Sequence, residues 1–380
     1  MRIIIFTGKG GGGVSTLAAA TAVAISQTGR KTLAFGLARG VGAAFGVNLT
    51  DEPAEVGNNL DALEGQPGRD TIDEFRDWLE DLLQWRGMDV GLAEDIAALP
   101  GMNHVGRLLE LEHEAKEGGY DVIVVDGASL EQFLDLPAAL DAAERWLGRL
   151  FAPRQSNVFE PFLRVFAGEY ASTGEDILDR GRDLLGRLAD LRDLFADPEV
   201  TSVRLVLRPD EDAVDDAREA VTVLSLFQYA TDAIIFNRVL PLTLKGALFS
   251  AALKIQADAR RVMISEMRPT PVMDAPLSPA TPRGLDSLAG FATETYGEHF
   301  ATRLLHRPLR HLFSEKDGRH MLSLVLPFAN RDSVRLERIE DGLAVHLNGR
   351  RCVLPLPDGA RYREPSGWSF EAPLLNVTFK

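Results

Sequence analysis

A short β-branched run, Ile3-Ile4-Ile5-Phe6, breaks straight into a glycine tract, Gly8-Lys9-Gly10-Gly11-Gly12-Gly13, and the tract runs into an alanine-rich apolar stretch from Ser15 to Ile25. Few architectures accommodate that succession. A short apolar run bounded by glycine is a buried strand, and a stretch apolar nearly all round is a buried helix. A strand that feeds a buried helix through a glycine turn belongs to a parallel sheet covered on both faces. Glycines at the head of a helix also let backbone N–H groups close on an anion. The tract is therefore the first candidate site, a phosphate cradle with Lys9 inside it.

The rest of the chain repeats the alternation. Lys31 to Phe35 reads as a second strand after the Gly29 stop, residues 69–85 and 104–117 carry helical patterning, and Tyr120 to Asp126 is a strand that ends in an acid. From about 137 to 198 the character changes: Ile177, Leu184, Leu188, Leu191 and Phe195 recur at helical spacing behind an aromatic cluster, Phe159, Phe162 and Phe166. The α/β pattern resumes with a strand Val203–Leu207, a helix Asp212–Leu226 and a strand Ala233–Phe236. A helical segment is thus expected as an insertion in an α/β core spanning 1–301. Residues 302–320, basic and polar, read as a linker. From Met321 to Lys380 period-two alternation sets in (Leu322-Leu324-Leu326, Leu343-Val345-Leu347, Leu375-Val377-Phe379), with Asp341-Gly342 and Asn348-Gly349 as hairpin turns, so a small all-β domain closes the chain.

Composition narrows the function. A net charge of −15 over 380 residues argues against nucleic acid or an anionic membrane surface as the main partner. The one cysteine, Cys352, forms no disulfide framework or CxxC zinc site, which fits a reducing, cytoplasmic setting. The seven histidines show no metal-ligand spacing. The N-terminus does not read as a signal peptide, and no apolar run is long enough to span a membrane.

Gly8 to Thr16 reads GKGGGGVST and resembles the deviant phosphate loop, GKGGxGK[ST]T, of the ArsA-type, Min-type and nitrogenase-reductase ATPases. The resemblance implies ATP or ADP with Mg²⁺ as cofactors. It casts Lys9 as a lysine that reaches the partner subunit's phosphates across a homodimer, Ser15 as the Mg²⁺-binding hydroxyl and Thr16 as the α-phosphate contact. Val14 departs from it, standing where the pattern has the lysine that bridges β- and γ-phosphates. The same tract also fits GxGxxG, a dinucleotide fingerprint, although the ribose-binding acid that fingerprint wants after the second strand is replaced by Gly36-Leu37-Ala38-Arg39. A glycine loop without a ligand is the plainest alternative.

Further stations in the right order support the ArsA-type resemblance over residues 1–300. Counted back from Phe45-Gly46, Gly36 takes the place of the family's water-orienting aspartate. Asp126, followed by Gly127-Ala128, matches the acid that holds Mg²⁺ through water, and a mere turn cap is its alternative. Ile234-Ile235-Phe236-Asn237-Arg238-Val239-Leu240-Pro241 resembles VVVNRVLP, whose asparagine serves the adenine, and an amide suits that edge because it donates and accepts. The segment Pro276-Leu277-Ser278-Pro279 with Pro282-Arg283-Gly284-Leu285 resembles PLLPxEVRG, which packs beside the base. The nucleotide set is therefore Gly8 to Thr16, Asn237, Arg238, Pro276 and Pro279, with Lys9 and Asp126 as catalytic and Ser15 and Asp126 as metal residues. In the family's targeting branch the inserted helices hold a hydrophobic protein client, such as a tail-anchored protein. The arsenite pump needs converging thiolates, so no arsenite is expected here. The tail resembles the α-crystallin sandwich through Leu326-Pro327-Phe328 and Ser369 to Leu375. These resemblances imply a homodimeric, slowly hydrolysing, nucleotide-regulated client binder, or a non-catalytic scaffold or sensor whose tail is the interaction module.

Overall fold

Ile3, Ile4, Ile5 and Phe6 are wholly buried in β1 (Arg2–Gly8), the strand on which the core is assembled. In the computed structural model the described residues are 1–37, 39–64, 69–85, 89, 91, 102–151, 171–297, 301–316, 319–339 and 342–380. They fall into one unit of Met1–Gly65, Gly118–Ala138 and Leu194–Lys380, and a second of Gln66–Glu117 and Ala139–Asp193.

In the first unit β2 (Thr32–Gly36), β3 (Ala54–Gly57), β4 (Leu60–Glu64), β5 (Val122–Ser129), β6 (Thr201–Leu207), β7 (Thr231–Val239) and β8 (Val272–Pro276) join β1 in the order β3-β4-β2-β5-β1-β6-β7-β8. Every pairing is parallel except β3 with β4. The central strands β1, β2, β5, β6 and β7 are buried on both faces along most of their length, as a doubly covered parallel sheet requires. Helix α1 (Val14–Ser26) covers the centre of one face with Leu17, Ala19 and Ala22 packed in a cluster with Leu288, Phe291 and Ala292 of the later helix Leu285–Tyr296. The short α2 (Val41–Phe45) follows β2.

The second unit is helical: α3 (Arg69–Trp85), α4 (Met102–Glu117), the later part of α5 (Leu130–Phe151) and most of α6 (Ala171–Ala196). It draws on two stretches of sequence, one of them well upstream of the expected 137–198 insertion. Leu79, Leu82, Leu108, Leu111, Ile177, Leu188 and Leu191 are buried, whereas Leu184 of the same stripe is half-buried. Glu112, buried, accepts from Arg187 Nε at 2.9 Å. Phe159, Phe162 and Phe166 lie outside the described residues. Among those described, no helix is long and apolar enough to cross a membrane.

Back in the first unit, α7 (Ala213–Leu226) links β6 to β7, α8 (Ala247–Glu266) links β7 to β8, and α9 is the Leu285–Tyr296 helix. Part of the stretch expected as a linker is a strand, β9 (Leu312–Lys316). Its pairing with β10 (Arg319–Val325) supplies the order that its polar composition hides. The all-β tail continues through β11 (Val334–Ile339), β12 (Gly342–Leu347), β13 (Arg350–Pro355), the one-turn α10 (Asp358–Arg361), β14 (Pro365–Glu371) and β15 (Leu374–Phe379). These strands form antiparallel sheets ordered β14-β15-β10-β9 and β11-β12-β13. Leu324, Leu326, Leu343, Val345, Leu375, Val377 and Phe379 fill the space within them. Asn348 and Gly349 turn β12 into β13 with φ of 50° and 78°, the type I′ geometry of that dipeptide. Gly342 opens β12, while Asp341 lies outside the described residues.

The tail docks along the C-terminal half of α7. Ser225 Oγ donates to the Val325 carbonyl at 2.7 Å, and Phe328 N donates to Thr222 Oγ1 at 3.3 Å. Arg350, with 15% of its side chain exposed, pairs with Asp135 at 3.0 Å and Glu219 at 3.1 Å.

Candidate functional site

Parallel packing brings the C-terminal ends of β1, β5, β2 and β4 into one row. Phe6 is in register with Asp126, Asp126 with Gly36, and Gly36 with Glu64. In an open α/β sheet the crevice beyond these ends is where ligands bind.

The glycine loop leaves β1 and turns on itself through Gly12 N donating to Lys9 O at 2.9 Å. Gly13, the N-cap of α1, has φ 88°, and a Cβ there would lie 2.2 Å from Asn237 Nδ2, so only glycine fits. Asn237 is 4% exposed and fixes the loop from below: Nδ2 donates to Gly12 O at 2.7 Å and Oδ1 accepts from Arg238 N at 2.8 Å. The first-turn N–H groups of Val14, Ser15 and Thr16 point out of the helix start, backed by its dipole, and no acid sits in that turn.

Asp126 lies within β5, which runs on to Ser129 and does not stop at the acid as its sequence suggests; it is 2% exposed, and its Oδ2 is buried without a hydrogen-bond partner. Burial pushes its carboxyl up to about 6; the Ser15 hydroxyl, which hydrogen-bonds it, pulls the other way, and the Glu64 charge adds to the rise. An unsatisfied carboxylate oxygen beside a hydroxyl is the hard-oxygen chemistry that Mg²⁺ takes. Ser15 and Asp126 therefore fit the metal role that the family resemblance implies, and the glycine loop beside them fits a phosphate. Among the described residues no cluster of three or more His, Cys, Asp or Glu offers a metal cage built from protein alone.

Lys9 points elsewhere. Its ammonium lies 3.2 Å from Asp216 Oδ2 and 3.5 Å from Asp212 Oδ2, at the start of α7, and the hydrogen bond and charge of Asp216 raise its pKa. Val14 is 9% exposed and belongs to the core beside Gly8, so the position of the bridging lysine is spent on packing. Thr16 follows on the same turn, half-buried.

The remaining expected residues stand on the far side of the loop. Arg238 is exposed with φ 60°, Pro276 is in register with Val239, and Pro279 is exposed beyond it. With Asn237 they line the ends of β7 and β8, across β1 and β6 from Asp126.

Residue reading missed Glu64, Asp212 and Asp216 as members of the site. Glu64 Oε1 accepts from Gly40 N at 2.9 Å and Oε2 from Gly42 N at 2.5 Å, holding the turn after β2. A signal existed: Leu60-Asp61-Ala62-Leu63-Glu64 is a short run ending in an acid, as Tyr120 to Asp126 is.

With this geometry in place, comparison with known proteins is direct. The family model described as an anion-transporting ATPase matches residues 1–297, and the one described as an HSP20-like domain found in ArsA matches 317–379. A "Putative arsenical pump-driving ATPase 1" of Aquifex aeolicus is 26% identical over 392 residues, covering 96% of each chain. An uncharacterized protein of Streptomyces coelicolor is 30% identical over 387 residues, covering 100% of this chain and 97% of its own. "ATPase GET3A" of Arabidopsis thaliana is 27% identical over 365 residues, covering 90% of this chain and 95% of its own.

Proposed function

The chain belongs to the ArsA-type anion-transporting ATPase family, with that family's HSP20-like domain at its C-terminal end, and on this premise we propose that it is a nucleotide-regulated binder of hydrophobic protein clients whose hydrolysis is slow. ATP or ADP would be held by the Gly8–Thr16 loop, with Asn237, Arg238, Pro276 and Pro279 toward the base. Mg²⁺ would be held at Ser15 and Asp126, where it would draw off charge from the phosphates. The chain's own groups do the rest. Loop and helix N–H groups orient the anion, and Asn237 keeps the loop from collapsing.

The observation that carries this reading is Asp126. A carboxylate held dry with one oxygen unpartnered is costly to a fold, and it stands beside the hydroxyl and the phosphate loop that make it useful. Slow hydrolysis is argued from Val14 and Gly36. One removes a phosphate-facing charge from a dry site, the other the acid expected to orient water, and such preorganised charges account for several kcal/mol of transition-state stabilisation. The client class is argued from the likeness to the Arabidopsis GET3A ATPase. Arsenite is disfavoured although relatives are named for an arsenical pump: Cys352, the chain's only cysteine, is 3% exposed in the tail. Lys9, exposed, is free to exchange its cis carboxylates for the phosphates of a second copy, which supports a homodimer.

The test is calorimetric titration with Mg²⁺-ATP, paired with phosphate release on the same sample. Binding with slow release supports the proposal. No binding refutes it and leaves the second reading, a scaffold acting through its tail.

A further inference from the structure

The turn that opens α2 sits on the candidate cation site. A single carbon added to Gly40 would lie 2.2 Å from Ser15 Oγ, 2.7 Å from Ser15 Cβ and 3.2 Å from Asp126 Oδ2. At those distances the Gly40 backbone itself covers the hydroxyl and the unpartnered carboxylate oxygen, in the space where a cation shared by them would have to sit. The turn is held from outside its own segment. Gly40 N and Gly42 N are both bonded by the Glu64 carboxylate, one oxygen each, at 2.9 and 2.5 Å. Its two ends are pinned separately, by Leu37 N donating to Asp126 O at 3.0 Å and by Gly284 N donating to Ala44 O at 2.9 Å. Between those pins, the Glu64 carboxylate holds Gly40, the residue packed against the covered oxygens, and Gly42 two residues on.

We propose that Glu64 latches the turn Gly40–Gly42 over Ser15 and Asp126, so that a divalent cation reaches these oxygens only when the two Glu64 hydrogen bonds release. Glu64 is then a positioning residue: it touches neither phosphate nor cation and acts chiefly through the turn it holds, its charge also bearing on Asp126. This extends the reading of Ser15 and Asp126 as the cation subsite and rests on it. The chemistry is suited to a latch. A carboxylate accepting two N–H groups is a strong, charge-assisted clasp, yet it is made by one side chain and can let go in one step.

The full-length protein tests this with Mn²⁺ as the probe, titrated by electron paramagnetic resonance with and without ADP, and with amide hydrogen exchange across residues 39–47. Glu64→Ala is expected to raise exchange at Gly40 and Gly42 by about tenfold or more in the absence of any ligand, and to tighten Mn²⁺ binding several-fold. Glu64→Gln keeps one acceptor oxygen and should fall between; it also carries the comparison if the alanine variant fails to fold. Gly40→Ala, whose new carbon cannot coexist with Ser15 Oγ, should free the turn in the same direction. Unchanged exchange in Glu64→Ala and Glu64→Gln, or weaker Mn²⁺ binding in both, overturns the latch. A separate arm judges the premise: Asp126→Asn should abolish Mn²⁺ binding in the parent and in Glu64→Ala. If Mn²⁺ binding survives it, or is absent from every variant, the subsite reading fails, and exchange at the turn alone decides whether Glu64 holds it.

Discussion

Asp126 is buried with a carboxylate oxygen unpartnered, at a cost to the fold. Its carboxyl rises from 3.8 to about 6 because it is buried, so between those values the folded chain binds a proton that the unfolded chain has lost. Stability from this group is therefore greatest below about 4 and falls as pH rises through about 6, by up to about 3 kcal/mol. Asp126→Asn should flatten that slope: in urea melts of the apoprotein the variant is expected to be more stable than the parent at pH 7.5 and no more stable at pH 4. A variant without that advantage would mean that Asp126 is already satisfied. Val14 makes the complementary case, since a core position has taken over a phosphate position. Lysine at this position would restore the cation that the family's loop pattern places beside the β- and γ-phosphates. Val14→Lys should therefore tighten Mg²⁺-ATP by about tenfold in calorimetry. Tighter binding with unchanged phosphate release would assign the catalytic loss to Gly36. Lys9, Ser15 and Asp126 could be picked out as candidates in the sequence because a phosphate loop is contiguous and an acid closing an apolar run is local, but the turn of Lys9 toward Asp212 and Asp216 could not. Glu64 was not, because its place beside Gly36 exists only through the register of β2 and β4. Nor was the grip of Asn237 on Gly12, made across 225 residues of sequence.

Among the elements, α7 has the most to connect. Its first turn supplies Asp212 and Asp216 to Lys9, and its last turn carries the tail through Thr222, Ser225 and Leu226. His311 closes that second contact in its neutral form: Nε2–H donates to Leu226 O at 3.0 Å while Nδ1 accepts from Val325 N at 3.1 Å. Burial lowers its pKa below the usual 6.5. The contribution is thus complete above 6.5 and is lost as pH falls through the depressed value, when a proton on Nδ1 would face the Val325 N–H. Lowering pH from about 7.5 to about 5 should lower the amide protection factors at Val325 and Ser323, each referred to the intrinsic exchange rate at its pH. His311→Ala should show the lower protection already at 7.5, with less dependence on pH; equal protection in both proteins would remove His311 from the contact. The helix itself was plain from Asp212 to Leu226, as were the central strands, whose residues are apolar on both sides. The edge elements were not. β3 and β4 are short and mixed, β8 is half-exposed, and β9 shows Leu312 61% exposed in a run of His and Arg, so backbone pairing, not side-chain pattern, makes it a strand.

At the scale of the whole chain the question is what the tail does for a candidate nucleotide site that none of its described contacts reaches. Its contacts reach α7 between Glu219 and Leu226, whereas Lys9 meets that helix at Asp212 and Asp216, about one to four turns away. Coupling along a rigid helix needs two positions of that helix, and the tail contacts describe one. Removing residues 312–380 should therefore leave Mg²⁺-ATP affinity within about threefold of the parent, since every loop contact survives. The same truncation strips the partners from Ser225, Thr222 and Glu219 and bares the apolar surface beneath Cys352, which is 3% exposed where its Sγ meets Leu226 O. It should lower the melting temperature by several degrees and promote self-association, read by calorimetry and light scattering. A truncated chain that kept its melting temperature but lost nucleotide affinity tenfold would invert this picture, placing the tail in control of Lys9 through α7. A chain that lost stability alone would make the tail a brace for the core, with whatever surface it offers to partners lying on strands turned away from α7.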